Sequence, residues 1–332
     1  MIKTVNKNLV KECYYIRIVL TMLLAVLFLS QFTSPFHAQA ATKEYGRFYR
    51  DGSNTQIQSG KYYYTFQSDG LYVSESAGLT GTQVLPKMKK TSELSDTVYL
   101  SKKYLYYVYY DRKSFTVYRM KPDGTEEKKI AGKKLKFSEG EGISIQFVYS
   151  DQYIVLERNI LGDARTYSVN VKTGKINSVA VDGKKKHYSL DFEPDSYQSY
   201  YVATGSYMSV TDIWPVYVYN VKSKSIRKLE ENARGIAIGG KYIYYIEYHR
   251  GKSSAKLIRC NLNGKNKKTI CTIKTKYKTE EDALAYGGPF LCEATSRYCI
   301  YMLYSLKGKD YYYYKYTFST KKNRKIKYNP VS

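Results

Sequence analysis

The feature that most constrains the fold is a pattern that the chain repeats six times. Each copy contains an apolar strand, a short turn, a strand led by tyrosine, a loop, and a hairpin closed by a polar or glycine turn. A sequence period of this size is typical of stacked supersecondary units. The tyrosine-led strands begin at Tyr62, Tyr104, Tyr153, Tyr200, Tyr242 and Tyr298.

The hairpins recur at matching places in the copies. Asp123-Gly124 and Asn263-Gly264 are strong hairpin signals because glycine adopts positive φ without steric cost, and Gly174 lies at the same place in the third copy. Four short strands in each unit are typical of a propeller blade. The sequence therefore predicts an all-β fold, a six-bladed β-propeller with four-stranded antiparallel blades over residues 60–332.

Tyrosine is the most overrepresented residue, with 40 copies against one tryptophan. Blade sheets pack on both faces, so their strands need not alternate apolar and polar residues. A tyrosine ring can be buried between blades while its hydroxyl reaches water or a carbonyl. We therefore expect the tyrosines to fill the contacts between blades. The segment 41–59 precedes the first blade, and its stretch 44–49 is a candidate closing strand for a blade that the sequence does not identify.

Two parts of the chain carry a resemblance to a known family. Residues 240–245 (Gly-Lys-Tyr-Ile-Tyr-Tyr) and 257–268 resemble the bacterial propellers related to the YWTD propeller of LDL receptors, and residues 118–130 fit the same pattern. The literal Tyr-Trp-Thr-Asp motif is absent. The resemblance implies the architecture alone, because that bacterial family has no assigned activity or ligand-binding residues to transfer.

The first forty residues have the pattern of a secretory signal. A basic start with Lys3 and Arg17 precedes an apolar run from Ile18 to Ser30, and Ala38-Gln39-Ala40 offers a cleavage site. The apolar run is short for a membrane span, which needs about 20 residues. An uncleaved signal anchor is the alternative. With cleavage, we expect a secreted, extracellular protein that starts at Ala41, carries a charge of +22 and has no transmembrane anchor. This expectation includes a secreted protein that associates with the cell wall.

The expected mature chain keeps four cysteines, an even number that suggests disulfides in an exported protein. Cys292 and Cys299 straddle a predicted turn and could face each other across a hairpin. The alternative is four free, packed thiols. A zinc site is disfavoured, because no Cys-x2-Cys pair occurs. The disulfide candidates are Cys260, Cys271, Cys292 and Cys299.

The search for catalytic motifs finds none. There is no Gly-x-Ser-x-Gly elbow, no His-Glu-x-x-His, no P-loop and no dinucleotide-binding glycine motif. We therefore expect no catalytic residues, no cofactor, no metal and no enzyme activity. The alternative is a carbohydrate-active or other hydrolytic propeller whose carboxylates converge only in space.

Charged residues recur in the connections between the predicted blades, where lysines come first and carboxylates follow. In a propeller, this order puts the carboxylates nearer the central channel and the lysines nearer the rim. The alternative is that these charges only solvate the surface. Trp214 either joins this ligand face or caps a core. The candidate ligand face comprises Trp214, Lys133, Lys134, Lys184, Lys185, Lys186 and Lys276, and the candidate channel carboxylates are Asp96, Glu141, Asp195 and Asp282.

The net charge of +25 indicates a class of partner. Lysine is a point charge on a flexible stem, so a lysine-rich surface favours diffuse attraction to polyanions. We expect a monomeric binding module at the cell envelope whose partner is an anionic cell-wall polymer, a glycan or a protein. Nucleic acid is excluded by the expected export.

Overall fold

All regular structure in the described part of the chain is β-strand, as the repeat predicted. Nearly all neighbouring strands are antiparallel and follow one another in sequence. No helix in this part of the chain has the length and apolarity to cross a membrane. The computed structural model describes residues 41–42, 46–49, 56–159, 165–179, 189–206, 214–249, 252–275, 288–305 and 310–328.

The first sheet has a four-stranded antiparallel meander with a short parallel strand added at its edge. Ala41 and Thr42 pair in parallel with Ile57 and Gln58. The strands are β1 (Ala41–Thr42), β3 (Gln56–Ser59), β4 (Tyr62–Gln67), β5 (Gly70–Ser74) and β6 (Thr82–Pro86).

The second sheet takes up the other N-terminal strand, β2 (Gly46–Tyr49), which pairs with β9. β8 and β9 both pair with β10, so they are two halves of one interrupted strand. The stretch 44–49, whose place the sequence left open, thus reaches the second unit through residues 46–49. The remaining strands are β7 (Met88–Lys89), β8 (Ser92–Leu94), β9 (Thr97–Leu100), β10 (Leu105–Asp111), β11 (Ser114–Met120) and β12 (Lys128–Lys134).

The third and last sheets are plain four-stranded meanders. The third contains β13 (Gly142–Tyr149), β14 (Tyr153–Asn159), β15 (Arg165–Asn170) and β16 (Ile176–Ser178). The last contains β24 (Phe290–Ala294), β25 (Tyr298–Ser305), β26 (Asp310–Thr317) and β27 (Lys322–Ile326).

The fourth sheet joins two units through one long strand, β20. The first part of β20 pairs with β19 and the second part with β21, so it ends one unit and begins the next. The strands are β17 (Ser189–Tyr197), β18 (Tyr200–Ser206), β19 (Trp214–Asn220), β20 (Ser225–Gly239), β21 (Tyr242–Glu247), β22 (Ser254–Asn261) and β23 (Lys268–Lys274).

The tyrosine-led strands are confirmed as elements of this architecture. They are β4, β10, β14, β18, β21 and β25, and each pairs with the strand before it and the strand after it. Each tyrosine named in the sequence pattern therefore starts the second strand of a four-stranded unit, with β10 beginning one residue after Tyr104.

The glycine hairpins are also confirmed. Gly124 and Gly264 have φ of 87° and 75°, in the left-handed region that favours glycine. In one hairpin the N–H of Lys121 donates to the Thr125 carbonyl at 2.7 Å. In the other the N–H of Asn261 donates to the Lys265 carbonyl at 2.9 Å. Two distant parts of the chain thus form the same turn.

Aromatic side chains pack between successive sheets. Tyr106 of the second sheet and Tyr167 of the third belong to one buried cluster. In the next cluster along the chain, the rings of Phe147 and Tyr201 stack with centroids 3.7 Å apart. An aromatic pair stabilises by about 0.5–1.5 kcal/mol beyond the area it buries. The expected role of the tyrosines in contacts between units is therefore observed.

The first tyrosine of several units carries a cation on its ring. The cation comes from the third strand of the same unit, so the side chain lies along the sheet and covers the ring. Such cation–π contacts contribute about 0.5–1 kcal/mol at exposed sites. The pairs are Arg119 over Tyr104 at 4.2 Å, Arg259 over Tyr242 at 4.2 Å and Lys315 over Tyr298 at 3.7 Å.

Two glycines allow β20 to approach β24 closely. A Cβ at Gly239 would lie 2.5 Å from the carbonyl oxygen of Thr295. A Cβ at Gly235 would lie 2.4 Å from the carbonyl oxygen of Leu291, and Gly235 also has a φ of +75°. Both approaches are to backbone, which cannot move aside as a flexible side chain can. These positions therefore need glycine.

We predict a graded loss of stability when these glycines become alanine. Gly78→Ala introduces left-handed strain alone, because Gly78 has a φ of +74° and an added Cβ would have no heavy atom from elsewhere in the chain within 4 Å. That strain costs about 1–2 kcal/mol. Gly239→Ala introduces close contacts with the Thr295 backbone and the Tyr244 ring but no left-handed strain, and Gly235→Ala introduces both a backbone clash and that strain. Urea unfolding should rank Gly235→Ala as the least stable, and a Gly235→Ala protein no less stable than Gly78→Ala would contradict the close approach.

The buried tyrosines predict alkaline unfolding. Burial raises the pKa of Tyr106 and Tyr107 well above the usual value and raises the pKa of Tyr244 to about 12. In an unfolded chain tyrosine ionises near about pH 10. The stability from these groups is therefore complete below about pH 10 and is lost as the pH rises through the higher folded-state values.

Absorbance at 295 nm and circular dichroism, followed together against pH, test this. Exposed tyrosines should ionise near about pH 10 with the fold intact, and the remainder should ionise together with the loss of structure. Ionisation of all tyrosines near that pH with the dichroism unchanged would contradict the burial.

Candidate functional site

A cleft of about 730 Å³ lies where the second unit meets the third. Its walls are the turn between β10 and β11 and the connection that leads from β12 to β13. We call it the basic cleft. It is lined by Arg112, Lys113, Lys134, Leu135, Lys136, Phe137, Ser138 and Glu139.

Backbone hydrogen bonds hold the two walls together. The N–H groups of Leu135 and Phe137 donate to the carbonyls of Lys113 and Arg112 at 2.9 and 3.0 Å. The connection is therefore extended, and successive side chains point to opposite sides. Phe137 is 4% exposed, whereas Lys134 and Lys136 are exposed. This alternation gives the cleft an apolar floor and a cationic rim.

Arg158, at the end of β14, anchors the connection. Its guanidinium donates to the carbonyl of Lys136 and to the carboxylate of Glu141, each at 2.5 Å. It also lies over the ring of Phe137, 5.0 Å from the ring centroid. Because one side chain holds three points of the connection, the position of the rim lysines is set by a residue of the third unit.

Glu141 has this local structural partner. The Ser138 N–H donates to its carboxylate at 2.8 Å, and this bond and the Arg158 guanidinium hold the pKa of Glu141 below its usual range. The side chains of Arg158 and Glu141 are 10% and 12% exposed. Glu141 is thus ionised at neutral pH and neutralised by Arg158.

The rim of the basic cleft is strongly cationic. Four basic residues line it against one carboxylate, Glu139. Within the described residues, none of the four forms an ion pair, whereas elsewhere Lys89 pairs with Glu127 and Lys256 with Glu247. The cleft can therefore attract an anion without first breaking a described ion pair.

The structure separates the lysines of the predicted ligand face. Lys134 lines the basic cleft. Lys133 instead turns to the third unit, with its ammonium 5.6 Å from the ring centroid of Tyr167. Lys184, Lys185, Lys186 and Lys276 lie outside the described residues, so their part in a ligand face stays a prediction.

The predicted channel carboxylates are not brought together among the described side chains. Asp96 is exposed in the break between β8 and β9. Glu141 is bound to Arg158. Asp195 lies where the pairing of β17 with β18 shifts register, and its side chain is outside the described residues, as is the whole of Asp282. An acidic channel mouth stays a prediction.

Trp214 begins β19 and is half-buried, opposite Ala233 of β20. In an antiparallel meander, the turn before the third strand lies on the same face as the connection between units. Trp214 is therefore at the end of its unit that corresponds to the basic cleft, although it does not line that cleft.

The four cysteines are free thiols in the structure. The register of the β24–β25 hairpin places Ala294 opposite Cys299. Cys292 lies at the point in β24 where the pairing shifts register, between Leu291 and Glu293. Cys292 and Cys299 are therefore not directly opposite each other in this hairpin, and the disulfide candidates stay a prediction. Burial raises the pKa of Cys260, Cys271 and Cys292 to about 11 and that of Cys299 further.

We predict that these thiols react slowly in the folded protein. The thiolate is the reactive form, and a raised pKa leaves little of it at pH 8. A disulfide exchange reagent should titrate four thiols in the denatured protein starting at Ala41, and the reaction should be much slower under native conditions. Fewer than four thiols after denaturation without reductant would show a disulfide instead.

Sequence reasoning missed Arg112, Lys113 and Arg158. Arg112 and Lys113 look like ordinary polar turn residues, and only the backbone bonds to the next connection give them a role. The one sequence signal for Arg158 is its charge, at the end of the apolar run Ile154–Leu156. Within the described part of the chain, no group of three or more His, Cys, Asp or Glu side chains is placed to hold a metal.

Comparisons with known proteins give fold neighbours alone. No protein-family model matches the chain, and no curated protein matches it. Tricorn protease aligns over 85% of this chain and 31% of its own, at 11% identity and a TM-score of 0.49. An uncharacterized protein from Listeria monocytogenes EGD-e aligns over 86% and 83%, at 12% identity and a TM-score of 0.45. An oligogalacturonate lyase in complex with manganese aligns over 85% and 78%, at 14% identity and a TM-score of 0.42.

These neighbours include β-propeller proteins, among them tricorn protease, TolB and prolyl endopeptidases. The chain spans 31% of the length of tricorn protease. Membership of the YWTD-related family is not confirmed, because no family model matches.

The comparisons correct one expectation. The sequence led us to expect no enzyme activity, but several neighbours are enzymes by name: tricorn protease, oligogalacturonate lyase, puromycin hydrolase and prolyl endopeptidases. The exclusion of catalysis from missing motifs was therefore wrong. At 9% to 14% identity these neighbours transfer no residue role to this chain.

Proposed function

We propose that the protein is an exported β-propeller that binds an anionic polymer of the cell envelope in the basic cleft. The single observation that carries the proposal is the convergence of Arg112, Lys113, Lys134 and Lys136 on one cleft without a described ion pair. A polyphosphodiester is the ligand class that we infer, because each of its repeats offers one negative charge to a point cation.

The proposal includes closure of the repeated units into a ring of six blades. Support comes from the six tyrosine-led strands and from buried clusters that each join one unit to the next. In such a ring the connections between units share one face. The basic cleft then lies on that face, which is accessible to a long polymer.

The proposal also includes removal of residues 1–40 on export. Support comes from the signal pattern of the sequence. An envelope location would place the basic surface among anionic polymers.

The electrostatic character of the cleft sets its expected behaviour. Exposed charge pairs contribute about 0.2–1 kcal/mol each and are screened by salt. Binding should therefore depend on many weak contacts along the polymer and should fall steeply with ionic strength. The apolar floor of Leu135 and Phe137 adds a surface on which the uncharged carbon backbone of the polymer can lie.

Removal of the rim lysines should weaken binding selectively. We expect Lys134→Gln/Lys136→Gln to lower the affinity for poly(glycerol phosphate) roughly fivefold, since two exposed contacts are lost. The slope of log K against log salt should decrease by roughly two. Fluorescence titrations of the protein starting at Ala41, at about 50 to 200 mM salt, measure both quantities.

The matched control is Lys265→Gln/Lys268→Gln, which removes the same charge from an exposed hairpin of another unit. It should bind almost as the unchanged protein does. Equal weakening by the two double variants would contradict the cleft, and binding insensitive to salt would contradict the electrostatic account. Polymer length is followed on gels in the same samples, because shortening of the polymer would assign catalysis in place of binding.

A further inference from the structure

A second cleft, of about 570 Å³, lies on the same boundary between the second and third units. We call it the opposite cleft. Its walls come from the start of β12, the turn between β13 and β14, and the hairpin between β15 and β16. It is lined by Arg119, Lys128, Lys129, Ile130, Asp151, Gln152, Tyr153, Asn170, Val171, Lys172, Thr173 and Gly174.

The two clefts open at opposite ends of β12. In an antiparallel meander, successive connections alternate between the two ends of the strands. The turn between β10 and β11 and the connection from β12 to β13 therefore lie on one face, and the turns β13–β14 and β15–β16 lie on the opposite face. Lys128 is at the start of β12 and Lys134 is at its end. At about 3.3 Å per residue, the two ends are about 20 Å apart.

The opposite cleft has the same balance of charges as the basic cleft, with four basic residues and one carboxylate. Within the described residues, Lys128, Lys129 and Lys172 form no ion pair. Lys128 and Lys172 are exposed and come from different units.

The carboxylate of the opposite cleft is already engaged. Asp151 accepts a hydrogen bond from the hydroxyl of Tyr106 at 2.9 Å. Arg119 lies opposite Tyr106 in the pairing of β10 with β11 and over the ring of Tyr104. The bond from Tyr106 orients the Asp151 carboxylate toward its tyrosine partner, and the exposed Lys128, Lys129 and Lys172 can meet a ligand.

The wall from the third unit is fixed by backbone contacts. The side-chain oxygen of Asn170 accepts the N–H groups of Lys172 and Thr173 at 3.0 and 2.9 Å. Gly174 lies so close to β12 that a Cβ would be 2.8 Å from the carbonyl oxygen of Ile130. Lys172 is therefore presented on a short, braced hairpin that closes against β12.

Uncharged residues in the middle of β12 separate the lysines of one cleft from those of the other. Between its terminal lysine pairs the strand reads Ile130-Ala131-Gly132, and Ala131 is buried. A single polymer that occupied both clefts would have to cross about 20 Å along β12, past three uncharged residues in the middle of the strand. Two separate anionic segments fit the arrangement better.

We propose that the opposite cleft binds a second segment of the same class of anionic polymer, so that one protein molecule cross-links two polymer chains. This inference rests on the proposed function of the basic cleft. The second site lies on the opposite face of the two units. With two sites, the protein would link two polymer chains, whereas the basic cleft alone would bind one.

Stoichiometry with a short ligand tests the number of sites. A glycerol phosphate trimer holds its first and last phosphates closer together than the about 20 Å between the ends of β12, so one trimer cannot occupy both clefts and calorimetry should give two trimers per protein chain. Lys128→Gln/Lys172→Gln should reduce this number to one and leave the remaining site within twofold of its original affinity. The control is Lys265→Gln/Lys268→Gln, in which Lys268 pairs with Arg259 as Lys128 pairs with Arg119.

Light scattering with long poly(glycerol phosphate) tests cross-linking. The unchanged protein should give scattering that rises to a maximum at an intermediate ratio and falls when either component is in excess. The Lys128→Gln/Lys172→Gln protein should still bind the polymer, but its maximum scattering should be at least tenfold lower, because it has one site and cannot cross-link.

The outcomes separate the two proposals. No binding of trimer or polymer by the unchanged protein would overturn the proposed function and this inference together. One trimer per chain, with scattering unchanged in Lys128→Gln/Lys172→Gln, would overturn the inference and leave the basic cleft standing. Circular dichroism of each variant excludes misfolding as the cause of a loss.

Discussion

Face-to-face packing of tyrosine-bearing sheets is the interaction on which the rest of this structure depends. Both clefts lie on the boundary between the second and third units, where Tyr106, Val117 and Phe115 of one sheet are buried with Ile154 and Tyr167 of the next. The opposite cleft takes its walls from both units, and the connection that forms one wall of the basic cleft is held by Arg158 of the third unit. Their walls keep their relative position because this apolar contact fixes the two sheets.

The same boundary shows how the chain reconciles a buried core with a strongly basic surface. Cations near the boundary lie over aromatic rings, as Arg158 does over Phe137 and Arg119 over Tyr104. Such contacts let an arginine pack against the apolar seam and still donate hydrogen bonds at its edge. The exposed lysines at the rims of the two clefts do not take part in this packing.

The sequence predicted the strands far better than it predicted the site. Period and tyrosine placement were sufficient for β4, β10, β14, β18, β21 and β25, because a strand's position depends on local pattern. Lys134, which the sequence placed on the candidate ligand face, lines the basic cleft, and its lysine run next to a predicted strand end was the local signal. Arg112 and Arg158 were not found, because each is more than 20 residues from Lys134 in sequence and comes near it only through pairing of the sheets. Missing motifs did not justify excluding catalysis, since a motif search detects only residues at a fixed local spacing.

The sequence by itself determined the β architecture, its repeat and the surplus of positive charge, because these follow from residue type and period. Tertiary structure decided which charges act together. Glu141 forms an ion pair with Arg158 and is neutralised by it. Lys133 lies over the ring of Tyr167, whereas Lys134 and Lys136 line the open rim of the basic cleft. Tertiary structure also set the register of the last hairpin, which put Ala294 and not Cys292 opposite Cys299. Charge is a property of each residue, but its partners are set by which sheet faces and turns the packing brings within a few ångströms.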